Sequence, residues 1–490
     1  MLRPWTLQIV LHRNSATALH LQIARAIVEE IRSGRLAPAA ALPGTRELAA
    51  RLHISRQTAV QAYDELTSQG WLVSEPTRGT FVDSSLIAVK PASRVAEPAA
   101  LPAWAGFPMR RAKPDLTAEM PEAGMMVFDD GLPDARLLPV DILARTYRRV
   151  LRDRSQQNQL QYGDPRGALP LRQAISEMLN MERGISCTAD NICVVRGSQM
   201  GIYLAARLLG GAGDTAVVEQ LSYKPAREAF RAAGSDVVGV GLDADGLRLD
   251  ELEAVCRRRR VRAVYVTPHH QFPTTVTLRP DRRLHLLALA EQFGFAIVED
   301  DYDHEFHFEG RPMLPLTSAD RRGRVIYIGS LSKLVSPSLR IGYIAAPASV
   351  IDHAAAEVMV IDRQGDPVME LAIAGMMQAG VIKSHARKVL RAYAGRRLAF
   401  TRLLDERLQD WVSHDLPPGG LALWVRFHEA VDMGKLVDEA RRQKLILSPG
   451  GLFAVSPERV QGARLGFASM NEIELVQAVG RLRRALELAS

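Results

Sequence analysis

The sequence of 490 residues has only three cysteines, Cys187, Cys193 and Cys256, and no CxxC or CxxH spacing. This scarcity excludes a disulfide framework and argues against a cysteine-based zinc site. The sequence also lacks an apolar run of the roughly 18 residues that a membrane-spanning helix requires. Its opening residues, MLRPWTLQIVLHRN, have no long apolar segment followed by a small-residue cleavage site. We therefore expect a protein of the reducing cytoplasm.

Neither sign of charge dominates, because 62 Lys and Arg residues against 55 Asp and Glu residues give a formal net charge of +7 at pH 7. Such a balance permits a polyanionic partner without demanding one. The chain is too long for a single hydrophobic core, so two or three domains are predicted. Six prolines fall within residues 90–124, where they prevent a continuous helix or central strand. We predict a linker over residues 84–124, with an ordered arm on a neighbouring surface as the alternative.

The residues before the linker have the pattern of a winged helix-turn-helix domain, which we place at residues 12–83. An apolar residue recurs at every fourth position from Leu19 to Ile31 and predicts a first helix. A Pro-Gly turn precedes a second helix that starts near Thr45, and HISRQTAVQAYDELTSQG predicts a third helix with Ser55 as its N-cap. The segment WLVSEPTRGTFV predicts two short strands around a turn.

The exposed side of this domain carries side chains that suit DNA. Arginine and glutamine near the start of the third helix can reach base edges, while the helix N-terminus favours a phosphate. An arginine next to a glycine in the wing suits a close approach to the minor groove. The predicted DNA contacts are Arg46, Ser55, Arg56, Gln57, Thr58, Gln61, Arg78 and Gly79. A winged helix that docks another protein is the alternative.

The segment LPGTRELAARLHISRQTAVQAYDELTSQGWLVSEPTRGTFV, Leu42–Val82, strongly resembles the GntR-type winged-helix family. Thr45 stands where that family usually has a serine in the turn, and we expect its hydroxyl to cap the second helix instead. The resemblance implies double-stranded promoter DNA as a partner.

From residue 126 onward, short apolar runs alternate with helical patterns, which predicts an α/β domain with a mostly parallel sheet. The runs NICVV, DTAVVEQ, VRAVYVTP, FAIVEDDYD and RVIYIGSLSK lead into polar residues. Ligands of open α/β sheets bind beyond the carboxyl ends of the strands, so we expect the chemistry there. Gly197, Ser198 and Gln199 open the helix after one such strand and could form an anion cradle.

The acidic run EDDYDHEFHFEG contains a second strand end. Asp300 and Tyr302 lie two residues apart, so they should share one face of the strand. A carboxylate beside a phenol could hold a protonated ring nitrogen and a ring oxygen. The many Asp, Glu and His residues also permit a metal site, but no HExxH-like helical spacing is present, so we predict no metal.

The third strand end is GSLSKLVSPSLRIGY, in which Lys333 stands among Ser330, Ser332 and Arg340. An arginine and an apolar wall would lower the pKa of the lysine and leave a nucleophilic amine. Serine hydroxyls and a guanidinium bind phosphate well. A Schiff-base lysine, a phosphate cup and an acid for a pyridine nitrogen together describe a pyridoxal 5'-phosphate site. The alternative is an ordinary surface lysine.

Residues 126–490 resemble a fold-type I aminotransferase, and together with the GntR-type head they resemble the MocR/GabR family of bacterial transcription regulators. The motifs that carry the resemblance are QYGDPRGALPLRQAI, RGSQMGI, TPHHQFPT, VEDDYD, GSLSKLVSPSLRIGY and ARLGFA. The resemblance implies an α/β fold at residues 125–490, with a mostly parallel sheet in a large domain and a small α+β subdomain from about residue 385.

The resemblance also implies roles for single residues. Lys333 resembles the lysine of the internal aldimine, Asp300 the partner of the pyridine nitrogen, and Tyr302 the phenol near the ring oxygen. Tyr223 falls where the family stacks an aromatic ring on the cofactor, and Tyr162 resembles the residue that reaches a neighbouring subunit's cofactor phosphate. The residues that resemble the phosphate cup are Ser198, Gln199, Ser330, Ser332 and Arg340.

Three further residues complete the implied site. Arg464 resembles the arginine that clamps an amino acid's carboxylate, a role suited to its planar fork. Gln271 and His270 resemble cofactor contacts of the family. Thr275 stands where the family commonly has glycine, which would restrict the backbone next to them.

Two functions are left open by the sequence. In the first, a homodimeric regulator binds an amino compound that displaces Lys333, forms an external aldimine and changes the grip of two winged helices on DNA. In the second, a working aminotransferase carries a DNA-binding head of secondary importance. Exposed arginine and glutamine on the third helix favour the regulator, and the sequence does not identify the effector.

Overall fold

A computed structural model describes residues 9–86, 121–310, 312–331 and 333–489. Contacts divide the chain into two compact units, one that ends at Ala112 and one that begins at Lys113. Most of the predicted linker, and Ser332 of the predicted phosphate cup, lie outside the described residues. Within those ranges, no helix is long and apolar enough to span a bilayer.

The first unit is a winged helix-turn-helix, as predicted. Its elements are α1 (Leu19–Arg32), α2 (Thr45–Leu52), α3 (Arg56–Ser68), β1 (Leu72–Glu75) and β2 (Gly79–Val82). The two strands pair antiparallel to form the wing. Ile23, Ile27 and Ile31 of α1 are buried against Leu48 and Leu66 of the other helices, so the predicted apolar stripe faces the core.

The second and third helices begin differently. Ser55 caps α3 as predicted, because its Oγ accepts a hydrogen bond from the backbone N–H of Thr58 at 3.1 Å. The prediction that Thr45 caps α2 is wrong. Gly44 occupies that N-cap, no side chain caps the helix, and Thr45 is already the first helical residue.

The second unit contains the strands β3 (Met126–Val127), β4 (Ile192–Val195), β5 (Thr215–Glu219), β6 (Asp236–Val240), β7 (Leu242–Asp243), β8 (Gly246–Leu247), β9 (Val261–Val266), β10 (Ala296–Asp301), β11 (Val325–Ser330), β12 (Gly342–Ala345), β13 (Val412–His414), β14 (Ala422–Phe427), β15 (Leu445–Ile446), β16 (Ser448–Pro449) and β17 (Gly462–Gly466). Seven of them form the central sheet in the order β4-β12-β11-β10-β9-β5-β6. Neighbours in this sheet are parallel except where β12 pairs with β11 and β4. The predicted mostly parallel sheet is confirmed.

The helices of this unit are α4 (Val140–Gln156), α5 (Leu169–Arg183), α6 (Ser198–Leu209), α7 (Lys224–Ala232), α8 (Leu249–Arg258), α9 (Pro280–Phe293), α10 (Leu316–Ala319), α11 (Ala348–Ile361), α12 (Pro367–Gln378), α13 (Val381–Leu408), α14 (Met433–Arg442) and α15 (Glu472–Ala489). Short 3-10 turns lie at Ala135–Leu137, Ala189–Asn191, Pro337–Leu339 and Gly450–Phe453. Helices cover the sheet, and β11 is buried along its whole length, as expected for a strand with two covered faces.

The C-terminal part of the unit has its own antiparallel sheet of four strands in the order β13-β14-β17-β16. Helices α14 and α15 pack against each other beside it. Strands β9, β10 and β11 are parallel neighbours, so their carboxyl ends lie at one edge of the central sheet. That edge is where the predicted site residues should meet.

Candidate functional site

Asp300 is a buried carboxylate at the end of β10. Its Oδ2 accepts a hydrogen bond of 2.7 Å from the Tyr265 hydroxyl, whereas its Oδ1 has no hydrogen-bond partner among the described residues. Burial raises the pKa of Asp300 to about 7, although the bond from Tyr265 acts in the opposite direction. A cationic donor at Oδ1, such as a protonated ring nitrogen, would stabilise the ionised form.

Lys333 follows β11 and donates a hydrogen bond from Nζ to the backbone carbonyl of Gly131 at 2.8 Å. Burial is the main reason that the pKa of Lys333 is lowered, and the Arg464 cation acts in the same direction against the opposing charge of Asp129. The sequence predicted that Arg340 would be the cation that lowers this pKa, but the structure shows Arg464 in that role. A lowered pKa raises the fraction of neutral, nucleophilic amine.

An anion cradle forms where α6 begins. Gly197 precedes the helix with φ of 77°, and Arg340 donates from Nη2 to the carbonyl of Arg196 at 2.9 Å. A Cβ on Gly197 would lie 2.8 Å from that same Nη2, so only glycine lets the guanidinium approach the helix N-terminus. The free N–H groups at the start of α6 and the adjacent cation together suit a phosphate.

Two other predicted phosphate ligands lie near this cradle. Ser330 ends β11 and is paired in register with Gly342 of β12. Gly342 packs directly against the backbone of Gly197 and Ser198, since a Cβ on it would lie 2.7 Å from the Gly197 carbonyl carbon and 2.8 Å from the Ser198 nitrogen. Gln199 turns its side chain away, because its Nε2 donates to the carbonyl of Pro225 at 3.1 Å. The side chain of Gln199 is therefore already engaged, whereas Ser198 begins α6 and Ser330 lies beside the strand that packs against the start of α6.

Gln271 is buried, and its side-chain amide is hydrogen-bonded to other residues of the protein. Its Nε2 donates to Glu219 Oε2 at 3.0 Å and to the carbonyl of Leu221 at 2.7 Å. Its Oε1 accepts from the backbone N–H of Thr274 at 3.0 Å. Thr275 has φ of 64°, the left-handed conformation for which a glycine is favoured. Thr275, which replaces the glycine common in the family, therefore lies at a position where the backbone adopts dihedral angles that favour glycine.

Arg464 reaches the same edge from β17 of the small sheet. It is buried, and it donates to the carbonyl of Asp130 at 3.2 Å, to the carbonyl of Pro273 at 2.9 Å and to the hydroxyl of Tyr302 at 3.3 Å. No carboxylate of the described residues forms a salt bridge with it. Since each nitrogen of the group uses one N–H here, N–H groups on both terminal nitrogens are left for a ligand.

The two remaining tyrosines differ in position. Tyr223 stands at the start of α7 with its ring edge-on to Phe272 at 5.3 Å between centroids, and burial raises its pKa to about 12. Tyr162 is 76% exposed, and the guanidinium of Arg363 lies over its ring at 4.8 Å. No contact between described residues joins Tyr162 to the Lys333 cluster.

The predicted DNA contacts lie on the surface of the first unit. Arg46, Arg56, Gln57 and Gln61 are exposed, as are Arg78 and Gly79 of the wing. Among the described residues, neither Arg46 nor Arg56 has a carboxylate partner, whereas Arg78 pairs with Glu75 at 2.5 Å. The hydroxyls of Ser55 and Thr58 lie 2.8 Å apart and serve the cap of α3.

Comparison with known proteins covers both units. Residues 19–82 match the family model described as bacterial regulatory proteins of the gntR family, and residues 134–482 match aminotransferase class I and II. The chain is 32% identical over 478 residues to the probable rhizopine catabolism regulatory protein MocR of Rhizobium meliloti, with 97% of this chain and 95% of that protein covered.

The chain belongs to the MocR family of GntR-type regulators.

The aminotransferase half of this MocR-type chain also resembles enzymes. It is 31% identical over 362 residues to aromatic-amino-acid aminotransferase 1 of Thermococcus litoralis, with 73% of this chain and 87% of that protein covered. It superimposes with a TM-score of 0.70 and 27% identity on LysN, the α-aminoadipate aminotransferase of Thermus thermophilus in complex with N-(5'-phosphopyridoxyl)-L-leucine, with 75% of this chain and 93% of that chain covered. A class I and II aminotransferase domain implies pyridoxal 5'-phosphate as its cofactor.

The residues of this MocR-type chain fit that group. The buried Asp300 Oδ1, which has no hydrogen-bond partner in the described ranges, suits the pyridine nitrogen, and the cradle of α6 and Arg340 suits the phosphate. Sequence reasoning missed Tyr265 and Gly131, which hold Asp300 and Lys333. The signal for Tyr265 was a tyrosine within the otherwise aliphatic buried strand VRAVYV, while nothing local marks a backbone carbonyl.

Proposed function

We propose that this protein is a transcription regulator that binds promoter DNA through its first unit and senses an amino compound in its second unit. The observation that carries the proposal is that one chain holds an exposed cationic helix-turn-helix face and a buried Lys333–Asp300 site of aminotransferase type. An enzyme that only turned over metabolites would not need the first of these.

On the DNA side, α3 acts as the recognition helix. Arg56, Gln57 and Gln61 lie on its exposed face and are able to reach base edges in the major groove. Arg46 is placed at the start of α2, where it suits a phosphate, and Arg78 with Gly79 suits the minor groove beside the wing. Ser55 and Thr58 act mainly by capping α3, which aims the helix N-terminus at the backbone.

In the second unit, Lys333, Asp300 and the Arg340 cradle would hold pyridoxal 5'-phosphate. When bound, this cofactor supplies an aldehyde that condenses with primary amines. Lys333 contributes the amine, and burial lowers its pKa, which increases the neutral fraction. Asp300 would hold the ring nitrogen, Tyr302 and Tyr223 would line the ring, and Ser330 and Ser198 would bind phosphate beside the guanidinium.

Arg464 would receive the carboxylate of the amino compound. The described residues provide this buried cation with neutral acceptors only, so a carboxylate gains the full charge interaction on entering. The effector class is therefore an amino acid or another compound with an amine and an anionic group. A signal follows only if this compound has different affinities for two arrangements of the regulator.

We also propose a homodimer in the cytoplasm, where the DNA is. Tyr162 supports the dimer, because a large aromatic side chain that is 76% exposed gains most from a neighbouring subunit. A dimer would present two recognition helices to two half-sites.

The central experiment replaces Lys333 by alanine. We expect Lys333→Ala to abolish the covalent attachment of the cofactor and the effector response, while specific DNA binding persists. Borohydride treatment of the wild-type holoprotein, followed by peptide mapping, should find the cofactor on Lys333. The exposed Lys388→Ala is the matched control and should behave as the wild type. A Lys333→Ala protein that still responds to effectors, or an adduct on another lysine, would overturn the assignment.

A working aminotransferase is the second candidate, because the same lysine and aspartate would serve proton transfer and because one relative is an aminotransferase. Multiple-turnover assays with amino acids and 2-oxo acids distinguish the two. Sustained turnover at enzyme-like rates, with no effect of any substrate on DNA binding, would favour the enzyme.

A further inference from the structure

Four histidines form a cluster beside the cofactor site. His269 and His270 follow β9, whereas His304 and His307 follow β10, and the two strands are parallel neighbours. The ring centroid of His269 lies 4.5 Å from that of His270, 4.9 Å from that of His304 and 5.8 Å from that of His307. Two segments more than 30 residues apart in sequence thus place their imidazoles together.

Several of these ring nitrogens have no hydrogen-bond partner within the described residues. They are both nitrogens of His269, the Nε2 of His270 and the Nδ1 of His307, while the Nδ1 of His304 has only its 3.0 Å contact with Asp301 Oδ2. His269 and His270 are at least nine-tenths buried, so unsatisfied polar atoms there cost free energy. One nitrogen from each of His269, His270 and His307 can be chosen so that all three lie within 4.8 Å of one another. Convergent imidazoles of this kind suit a metal ion.

His270 is also oriented as a metal ligand would be. Its Nδ1 lies 2.8 Å from Asp303 Oδ1, so the carboxylate fixes the tautomer that leaves a lone pair on Nε2. Only glycine fits at position 419, because a Cβ there would lie 2.6 Å from His270 Nε2. A carboxylate behind a histidine is the usual support of a metal-binding imidazole.

A second set, His269, Asp301 and His304, is less suited. Asp301 Oδ2 already accepts from the Tyr327 hydroxyl at 2.7 Å and lies 3.0 Å from His304 Nδ1. Arg183 is a further cation at 3.8 Å from Asp301. The charge of this carboxylate is thus already balanced within the protein, whereas each imidazole of the first set has a ring nitrogen without a hydrogen-bond partner among the described residues.

We propose that His269, His270 and His307 bind a divalent transition-metal ion, with zinc as the chemical type and a fourth position for water or a small ligand. The sequence prediction of no metal relied on the absence of HExxH-like spacing, which applies to helices and not to adjacent strand ends. The Tyr302 hydroxyl donates to the carbonyl of His270 at 3.0 Å, so the ion would also fix the backbone next to the cofactor site.

The test uses the untagged full-length protein and Co²⁺ as a spectroscopic probe, with Zn²⁺ measured by elemental analysis. We expect about one ion per chain and visible absorption typical of a four-coordinate Co²⁺ site. His269→Asn and His307→Asn should abolish that spectrum, and Asp303→Asn should weaken metal affinity by about 10- to 100-fold. The exposed His285→Asn is the matched control and should bind as the wild type.

His304→Asn separates the two sets. The proposal requires this variant to keep the Co²⁺ spectrum, so loss in His304→Asn with retention in His307→Asn would overturn it. Wild-type protein that keeps no metal after dialysis would do the same. Circular dichroism and melting check each variant, and if the buried His269 variant does not fold, the half-buried His307 variant decides.

Discussion

The two units place their charged residues in opposite ways. In residues 9–86 no charged side chain is buried, and the small core consists of apolar side chains such as Ile27 and Leu48. In the second unit, charged groups including Arg183, Asp300 and Arg464 are buried among apolar residues. The charges among the predicted DNA contacts are thus stabilised by water. In the predicted ligand site, Asp300 and Arg464 carry charges that are buried, so only hydrogen bonds and ion pairs within the protein stabilise them.

This difference predicts how the units respond to substitution. Removing a surface charge changes binding and leaves the fold alone, because exposed ion pairs contribute little to stability. Removing one buried charge leaves its partners unpaired in a low-dielectric interior, so both fold and function change. The following experiments test that contrast.

Arg183→Met should have the largest effect on stability. Arg183 hydrogen bonds to Glu305 and Tyr327 and lies 3.8 Å from Asp301, all within the second unit. Its loss leaves Glu305 without this buried cation and removes one of the positive charges beside Asp301, so the free energy of unfolding should fall by about 3–5 kcal/mol. Urea denaturation measures this change. Arg207→Met, which removes an exposed pair with Glu357, is the control and should cost less than about 1 kcal/mol; equal losses would contradict the contrast.

Asp300→Asn should change how stability depends on pH. Burial raises the pKa of Asp300 to about 7, so the folded cofactor-free chain holds a proton that the unfolded chain has released. Stability contributed by the neutral carboxyl is therefore present at low pH and is lost as pH rises toward about 7. The variant should remove about 2 kcal/mol of this fall between about pH 5 and 7.

The comparison is made by urea titrations of wild-type and Asp300→Asn protein without cofactor. Burial also raises the pKa of Glu219 and of Glu299 to about 7, so some slope should persist in the variant. An unchanged slope would mean that Asp300 is ionised in the folded protein.

Arg56→Ala should weaken DNA binding without affecting the fold. We expect about a tenfold loss of affinity and a decrease of about 1 in the slope of log K against log salt if the guanidinium contacts a phosphate. The measurement is a salt series on a DNA fragment that the wild-type protein selects from a random pool. Arg35→Ala, whose guanidinium is paired with Glu30, is the control. An identical loss of DNA affinity in both variants would indicate that Arg56 of α3 does not contact the DNA.

Ser55→Ala should have the smallest effect. It removes the side-chain acceptor of the Thr58 N–H and should lower the stability of the first unit by about 1 kcal/mol. Ser55→Asp keeps an acceptor at the N-cap and should restore most of that stability. Thermal unfolding compares the two, and no difference between them would indicate that the cap contributes nothing.

The sequence predicted most strands of the central sheet because their apolar runs are continuous and end in polar residues. Lys333 and Asp300 were found for the same reason, since each ends such a run. The contacts that hold them were beyond sequence reasoning. Tyr265 meets Asp300 only through the register of β9 and β10, and the Gly131 carbonyl lies about 200 positions from Lys333 in the chain.

Side-chain direction was the other limit. Gln271 was predicted as a cofactor contact, but whether its amide turns toward the cofactor or toward Glu219 depends on a loop of uncommon backbone shape. The histidine cluster depends on which strand ends are neighbours, which the spacing of His269 and His307 does not reveal. Thr45 failed as a cap because the helix begins one residue earlier than the family turn suggested.

Arg464 belongs to β17, whereas the Pro273 carbonyl and Tyr302 hydroxyl that it contacts follow strands of the other sheet. This one cation therefore links the small antiparallel sheet to the central sheet of the second unit. The N–H groups that remain on its two terminal nitrogens are open to a ligand carboxylate, so a bound effector would be held by the same guanidinium that joins the two sheets. An effector at this position would therefore act on both parts of the second unit at once.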